Sequence, residues 1–293
     1  MKQASFEFPQ WLNEFVPDDE FFAAAYDEVG EQKRAWLKTC IARLFDWYGP
    51  RKDPSGEIVR HWQAGFDTRS AYAPVDFGVV LFDDTLLSPA RLLAGLVPAM
   101  AGGVEKLLAV RVTEGAPWPK PILTGLELAG QEFVVDLNES RARKLFSELR
   151  ESEASGAVTV LGPRAGAIKS SEMQAASRMT FWRPRFSRSA SVWMEEPDTF
   201  DLEVLAFTHP DMRFTVYGAE SELPGESFTR APGAFEDCIS VAADVAYLPA
   251  SHADRGLPRM RLVLGPGQEG CWVWPDLHLD HFQSHCTAWT IGG

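Results

Sequence analysis

The sequence predicts an α/β protein built on mostly parallel sheets, and three observations predict it. Four short runs rich in β-branched and apolar residues, at 77–82, 106–112, 132–137 and 157–161, read as buried strands. The stretches between them have helical periodicity and are long enough to return each strand parallel to the last. Start and stop signals for helices fall at the edges of those same stretches. The pattern is therefore β-α-β-α-β-α-β, a sheet covered on both faces.

In chain order, residues 7–48 carry Phe21, Phe22, Ala25 and Val29, then Ala35, Trp36, Cys40, Leu44 and Trp47, at helical spacing. They predict two helices with an aromatic packing stripe, followed by an exposed loop rich in Gly, Pro and charge over 48–56. The first helix of the α/β region has Ser88 as N-cap and Pro89 at its first position; Leu92, Leu93, Leu96, Val97 and Met100 share one side, and Gly102 and Gly103 end it. A second helix starts in the Pro-rich turn 117–121 and stops at Gly130. A third is capped by Asn138 and turns Ala142, Leu145, Phe146 and Leu149 inward. Beyond Ser187 a second lobe is expected: a strand over 190–194, a helix opened by Pro197 and running to about 207, and a strand over 213–217. A helix over 235–245 and strands over 260–264 and 271–274 complete it. The expected organisation is a helical arm over 1–75 packing on the second lobe, a first α/β lobe over 76–165, and a second over 166–293 that ends in a His-rich tail.

The charge balance narrows the partners. With 28 Lys and Arg against 41 Asp and Glu, the net charge of −13 repels a phosphate backbone, so nucleic acid is not an expected partner. No run reaches the roughly 20 apolar residues that span a bilayer, and the first residues lack the apolar core of a secretion signal, so a cytoplasmic protein is expected. The cysteines, Cys40, Cys238, Cys271 and Cys286, read as reduced thiols, with Cys238 and Cys271 buried and inert.

Several residues could carry chemistry. The turn Gly162, Pro163, Arg164, Ala165 lies at the carboxyl end of a predicted strand, where open α/β sheets place ligands. A nucleotide between strand ends near Asp83, Gly162 and Arg164 is the expectation. Arg183, Arg185 and Arg188 form a basic run suited to an anionic ligand or, equally, to a solvated loop. On a helix His278, His281 and His285 would share one face beside Cys286, Asp276 and Asp280, a set zinc accepts; a polar segment without metal is the other reading.

Residues from about 76 to 217 resemble histidinol dehydrogenase, of the aldehyde-dehydrogenase-like fold. The likeness rests on the strand over 77–82 followed by a Ser-Pro-opened helix, on the Pro-Ala and Ala-Gly-Gly-Val steps over 98–104, on Leu-Glu-Leu-Ala-Gly over 126–130, and on Gly162-Pro163 in place of a Gly-Pro-Gly-Asn loop. It implies two three-layer α/β lobes with mostly parallel sheets and an N-terminal helical arm, a homodimer, a nicotinamide cofactor (NAD) on the first lobe and zinc on the second. It also implies oxidation of an alcohol or aldehyde. The zinc helix of the family, Ser-Gln-Ala-Glu-His, corresponds here to residues ending at His209, without the glutamine, and its Pro-Glu-His acid/base pair to residues ending at His252, without the glutamate. His209 and His252 are thus the candidate catalytic residues, and His209 with His278, His281 and His285 the candidate zinc ligands. Two functions are carried forward: a divergent nicotinamide-dependent oxidoreductase, and a non-catalytic relative that binds a small molecule or serves as a scaffold.

Overall fold

The computed structural model describes residues 6–49, 54–162, 165, 178–184, 188–241 and 243–291. After a 3-10 turn (Gln10–Phe15) come two helices, α1 (Asp19–Glu28) and α2 (Glu31–Tyr48), and α2 buries Leu37, Cys40 and Leu44 along one stripe. A hairpin that the sequence reading did not foresee follows, β1 (Gly56–Trp62) and β2 (Phe66–Pro74).

Side-chain alternation then builds the first lobe. In β3 (Phe77–Asp83), Phe77, Val79 and Leu81 enter one core and Val80 and Phe82 the other. The strands β4 (Leu107–Val112), β5 (Val134–Leu137), β6 (Gly156–Leu161) and β7 (Met179–Trp182) join it in a five-stranded parallel sheet of order β5-β4-β3-β6-β7. Helices α3 (Pro89–Ala101) and α4 (Lys120–Leu128) cover one face, while α5 (Glu139–Glu151) and a 3-10 turn at Gln10–Phe15 cover the other. The predicted caps form: Ser88 accepts from the backbone N–H of Arg91 at 3.2 Å and Asn138 from that of Arg141 at 2.9 Å. Helices α1 and α2 lie on α4 and α3.

The second lobe is a five-stranded parallel sheet of order β10-β9-β8-β11-β12. Its elements in order are β8 (Ser189–Met194), α6 (Leu202–Thr208), β9 (Arg213–Gly218), β10 (Phe228–Arg230), α7 (Phe235–Cys238), β11 (Val245–Tyr247), α8 (Ala250–Gly256) and β12 (Leu262–Leu264). One continuous core runs from Val80 and Phe82 through α2 and α3 to Val192, Phe214 and Tyr247, so the two lobes share their interior. Last comes β13 (Gln283–Ile291), which returns to pair antiparallel with β2 in a three-stranded sheet β1-β2-β13.

Three expectations are corrected. The helix expected from Pro197 starts at Leu202, because Asp201 accepts from the Val204 N–H at 3.1 Å and caps it there. The helix expected over 235–245 ends at Cys238, since Val245 to Tyr247 fill the gap between β8 and β12 as a fully buried strand. Residues 271–274 form no strand; Trp272 and Trp274 alternate into the shared core without a neighbouring strand.

Gly156 tests how tightly the first sheet closes. A Cβ there would sit 2.3 Å from the Phe77 ring, which is fully buried and stacked on Phe6 at 4.6 Å. Because that ring has no room to retreat, Gly156→Ala is expected to cost about 1–3 kcal/mol through overpacking. Urea unfolding should show a lower midpoint at unchanged slope.

Candidate functional site

The carboxyl end of the first sheet faces the amino end of the second. At that end Asp83 is fully buried. Its Oδ1 accepts from the N–H and hydroxyl of Thr85 at 3.0 and 2.6 Å, and its Oδ2 from the N–H of Ala165 at 3.0 Å. Gly162 has φ +117°, and a Cβ on it would lie 2.6 Å from Asp83 Oδ2. Glycine is required here twice over, by backbone conformation and by the approach of the carboxylate. Asp83 and Gly162, expected to meet a cofactor, are thus committed to each other, clamping the turn after β6 onto the end of β3. Arg164 lies outside the described residues.

Beside this turn a fully buried cation joins the lobes. Arg91, in the first turn of α3, pairs with Asp211 in the loop before β9. Its guanidinium also lies 5.8 Å from the centre of the Trp272 ring, and Trp274 Nε1 donates to the Arg91 carbonyl at 3.2 Å. His209 is fully buried in the same junction, with Nδ1 3.0 Å from Ser88 Oγ and its ring 5.1 Å from that of Trp272. Burial first, and then the charge of Arg91, push its pKa well below the ordinary imidazole value, so it stays neutral.

Zinc does not fit this junction. The His209, Asp211 and Glu269 side chains are buried here, yet among the described residues no three His, Cys, Asp or Glu side chains converge on a point a metal could occupy. A divalent cation would also meet the fixed charge of Arg91. The remaining candidate ligands are dispersed. His278 precedes a 3-10 turn (Leu279–Phe282), His281 lies within it beside Thr180, and His285 sits on β13 opposite Tyr72. The helix that would have aligned them is absent: the 3-10 turn ends at Phe282, and from Gln283 onward the chain pairs with β2.

His252 occupies a different region. It opens α8 at the carboxyl end of the second sheet, with Nδ1 3.0 Å from Glu195 Oε1 and its ring 4.4 Å from that of Phe235. The glutamate missing from its own segment is supplied by the residue after β8. About 20 Å of strand separates this pair from the interlobe junction, at about 3.3 Å per residue over the six residues of β8. His209 and His252 are therefore not brought together.

What does open at the junction is a cleft of about 680 Å³ lined by Thr85, Leu87, Arg188, Ser189, Asp211 and Arg213. Arg188 reaches Thr85 Oγ1 at 3.3 Å, linking the two rims. Arg91 neutralises Asp211, so Arg188 and Arg213 set the sign of the cleft as positive in a chain that is acidic overall. The basic run in the sequence pointed to Arg188; Arg213, at the start of β9, had no signal there.

No protein-family model and no curated protein sequence matches the chain. Solved structures do match. Histidinol dehydrogenase from Elizabethkingia anophelis superposes with a TM-score of 0.57 at 14% identity, over 96% of this chain and 78% of that one. A putative aldehyde dehydrogenase from Burkholderia cenocepacia gives 0.52 at 13% identity over 93% and 86%. Gamma-glutamyl-gamma-aminobutyraldehyde dehydrogenase from the same organism gives 0.50 at 11% identity over 92% and 82%. The chain has an aldehyde-dehydrogenase-like α/β fold, and at these identities the likeness is one of fold. Among the described residues no helix is long and apolar enough to cross a membrane.

The buried imidazoles make a pH prediction. Burial lowers the pKa of His281 from 6.5 to about 4, opposed by a backbone contact to Val158. The folded value lies below the unfolded one, so the unfolded chain takes up the proton and stability present above pH 6.5 is lost as pH falls toward 4. Asp136, pushed from 3.8 up to about 6 mainly by burial, has the opposite sign and gains stability over 6 to 3.8. Comparing wild type with His281→Gln cancels the Asp136 contribution. The stability difference from urea unfolding should move by about 2 kcal/mol against the wild type between pH 7 and pH 4.5.

Proposed function

We propose that this protein binds a small anionic molecule of the nicotinamide dinucleotide class in the interlobe cleft, on a dehydrogenase-like scaffold. The observation that carries this reading is the placement of Arg188 and Arg213 on the amino-end rim of the second sheet, facing the carboxyl end of β3. Ligands of open α/β sheets settle at such strand ends. Guanidinium groups suit phosphate, which they can hold through two parallel hydrogen bonds. In this reading the two arginines bind the phosphates, the Thr85 and Ser189 hydroxyls orient the ligand, and the Arg91–Asp211 pair fixes the rim on which Arg213 stands. The residues on this cleft are binding groups. Its nearest imidazole, His209, is neutral and sealed behind Trp272, and His252 is at the far end of β8, which favours binding over turnover.

A second reading, a nicotinamide-dependent oxidoreductase acting on an alcohol or aldehyde, is favoured by the fold shared with dehydrogenases. When bound, such a cofactor would supply hydride transfer; the chain would bind and orient it through the same arginines.

Calorimetric titration with reduced and oxidised nicotinamide dinucleotides, with and without the 2′-phosphate, tests both. Saturable binding is expected, weakened about tenfold or more by Arg213→Ala, since a charge-assisted hydrogen bond contributes about 1.5–3 kcal/mol. No saturable heat at millimolar ligand would overturn the binding reading. Cofactor reduction at 340 nm with a panel of primary alcohols and aldehydes would replace it with the second.

A further inference from the structure

A thiol buried among apolar groups is inert, whereas one set beside a cation and a hydrogen-bond donor is a nucleophile. Cys40 and Cys271 both have little exposure, and both are free. Cys40 belongs to the buried stripe of α2, and Cys271 lies in the loop after β12, just ahead of Trp272. The fold brings both to the wall of one pocket, where the two thiols interact. Arg43, nearly one turn beyond Cys40, places Nη1 3.5 Å from Cys271 Sγ. The same nitrogen donates to the Gly267 carbonyl and, at 3.1 Å, to Gln268 Oε1, so the guanidinium is anchored over the sulfur. A pocket of about 340 Å³ reaches this group, its wall including Cys40, Arg43, Trp47, Gln268 and Cys271. Trp47 is 68% exposed, which places part of that wall at the surface.

The electrostatics separate the two sulfurs. The Cys271 thiol is drawn down by the hydrogen bond from Cys40 and then by Arg43, against burial and the charge of Glu269. The Cys40 thiol is pushed up by its bond to Cys271 and by burial. Cys238, by contrast, is pushed up to about 11 by burial. Cys271 is buried, as the sequence reading expected; the contact from Arg43, which spans 228 positions of chain, had no signal there.

We propose that Cys271 is a reactive thiol and Cys40 its resolving partner, forming a reversible disulfide by exchange with low-molecular-weight disulfides that enter the pocket beside Trp47. The Cys271 thiolate attacks one sulfur of the small disulfide, forming a mixed disulfide and expelling a thiolate that takes up a proton. Cys40 then gives its proton to solvent and attacks the Cys271 sulfur, expelling the second small thiolate. Two protein thiols are oxidised and one small disulfide is reduced to two thiols. The bridge ties α2 to the loop carrying Glu269 and Trp272, which packs on His209. The proposal does not depend on what the interlobe cleft binds.

The test uses the full chain carrying Cys286→Ser, which removes the exposed thiol. It is treated at pH 7 with glutathione disulfide and examined by mass spectrometry after non-reducing digestion. The expected product has lost two thiols, carries no glutathione, contains a Cys40–Cys271 linked peptide and reverts with dithiothreitol. Adding Cys40→Ser should leave glutathione trapped on Cys271. Adding Arg43→Gln should slow modification of Cys271 about tenfold at pH 7 and shift its rate profile to higher pH, as expected for a thiol losing its cation. A folded chain, verified by circular dichroism, in which Cys271 stays unmodified until denaturant is added would overturn the proposal. So would a product in which glutathione remains on Cys271 with Cys40 intact.

Discussion

The guanidinium of Arg91 is the constraint around which the two lobes are fitted. A cation in the first turn of a helix opposes the helix dipole, and full burial removes its water. Such a group is tolerated only where an opposite charge and aromatic faces replace the lost solvation. Asp211 and Trp272 provide these, Trp274 holds the Arg91 carbonyl, and all three come from the second lobe. The first lobe therefore cannot bury the start of α3 by itself; it needs the loop before β9 and the segment after β12. His209, Ser88 and Asp211 are gathered by this one charge, and the rim of the cleft inherits its position from them. Burial and then this same charge keep His209 neutral, and the charge excludes a second cation.

The first lobe was legible in the sequence because its signals are local and agree with one another. Alternation in β3, the Ser88 and Asn138 caps and the glycine stops each specify the same boundaries. The three-stranded sheet was not legible. In β1 nearly every residue is exposed, so no apolar period marks it, and the partner of β2 lies at the other end of the chain. The stretch 271–274 failed for the opposite reason. Its Trp alternation suits a strand, but the two rings are held by side chains, Trp274 by Trp182 of β7 and Trp272 by His209, and no strand pairs with its backbone.

Site residues were legible as types and not as assemblies. His209 and Asp83 stood out as chemistry-bearing groups, yet the role of each is decided by surroundings that sequence spacing does not disclose: full burial beside Arg91 for the first, Gly162 and Ala165 for the second. His252 lacked its glutamate in its own segment. The register Val192↔Tyr247 between β8 and β11 is what carries Glu195 to it. Arg43 and Cys271 illustrate the same limit, since a helix stripe and a loop thiol meet only after both sheets are in place.

The order of the strands in β1-β2-β13 also sets a clock. Strand β2 pairs with β1 through a short turn, but its other edge is taken by residues 283–291, which are synthesised about 200 residues after it. At synthesis rates of about 5–20 residues per second, that edge stays unpaired for roughly 10–40 s while both α/β lobes emerge. An exposed strand edge is a template for association with another chain. Charged Arg69 and Asp67 on β2, engaged with Glu57 and His61 of β1, stand along the edge during that interval. The nascent chain thus carries an open edge that residues 283–291 close.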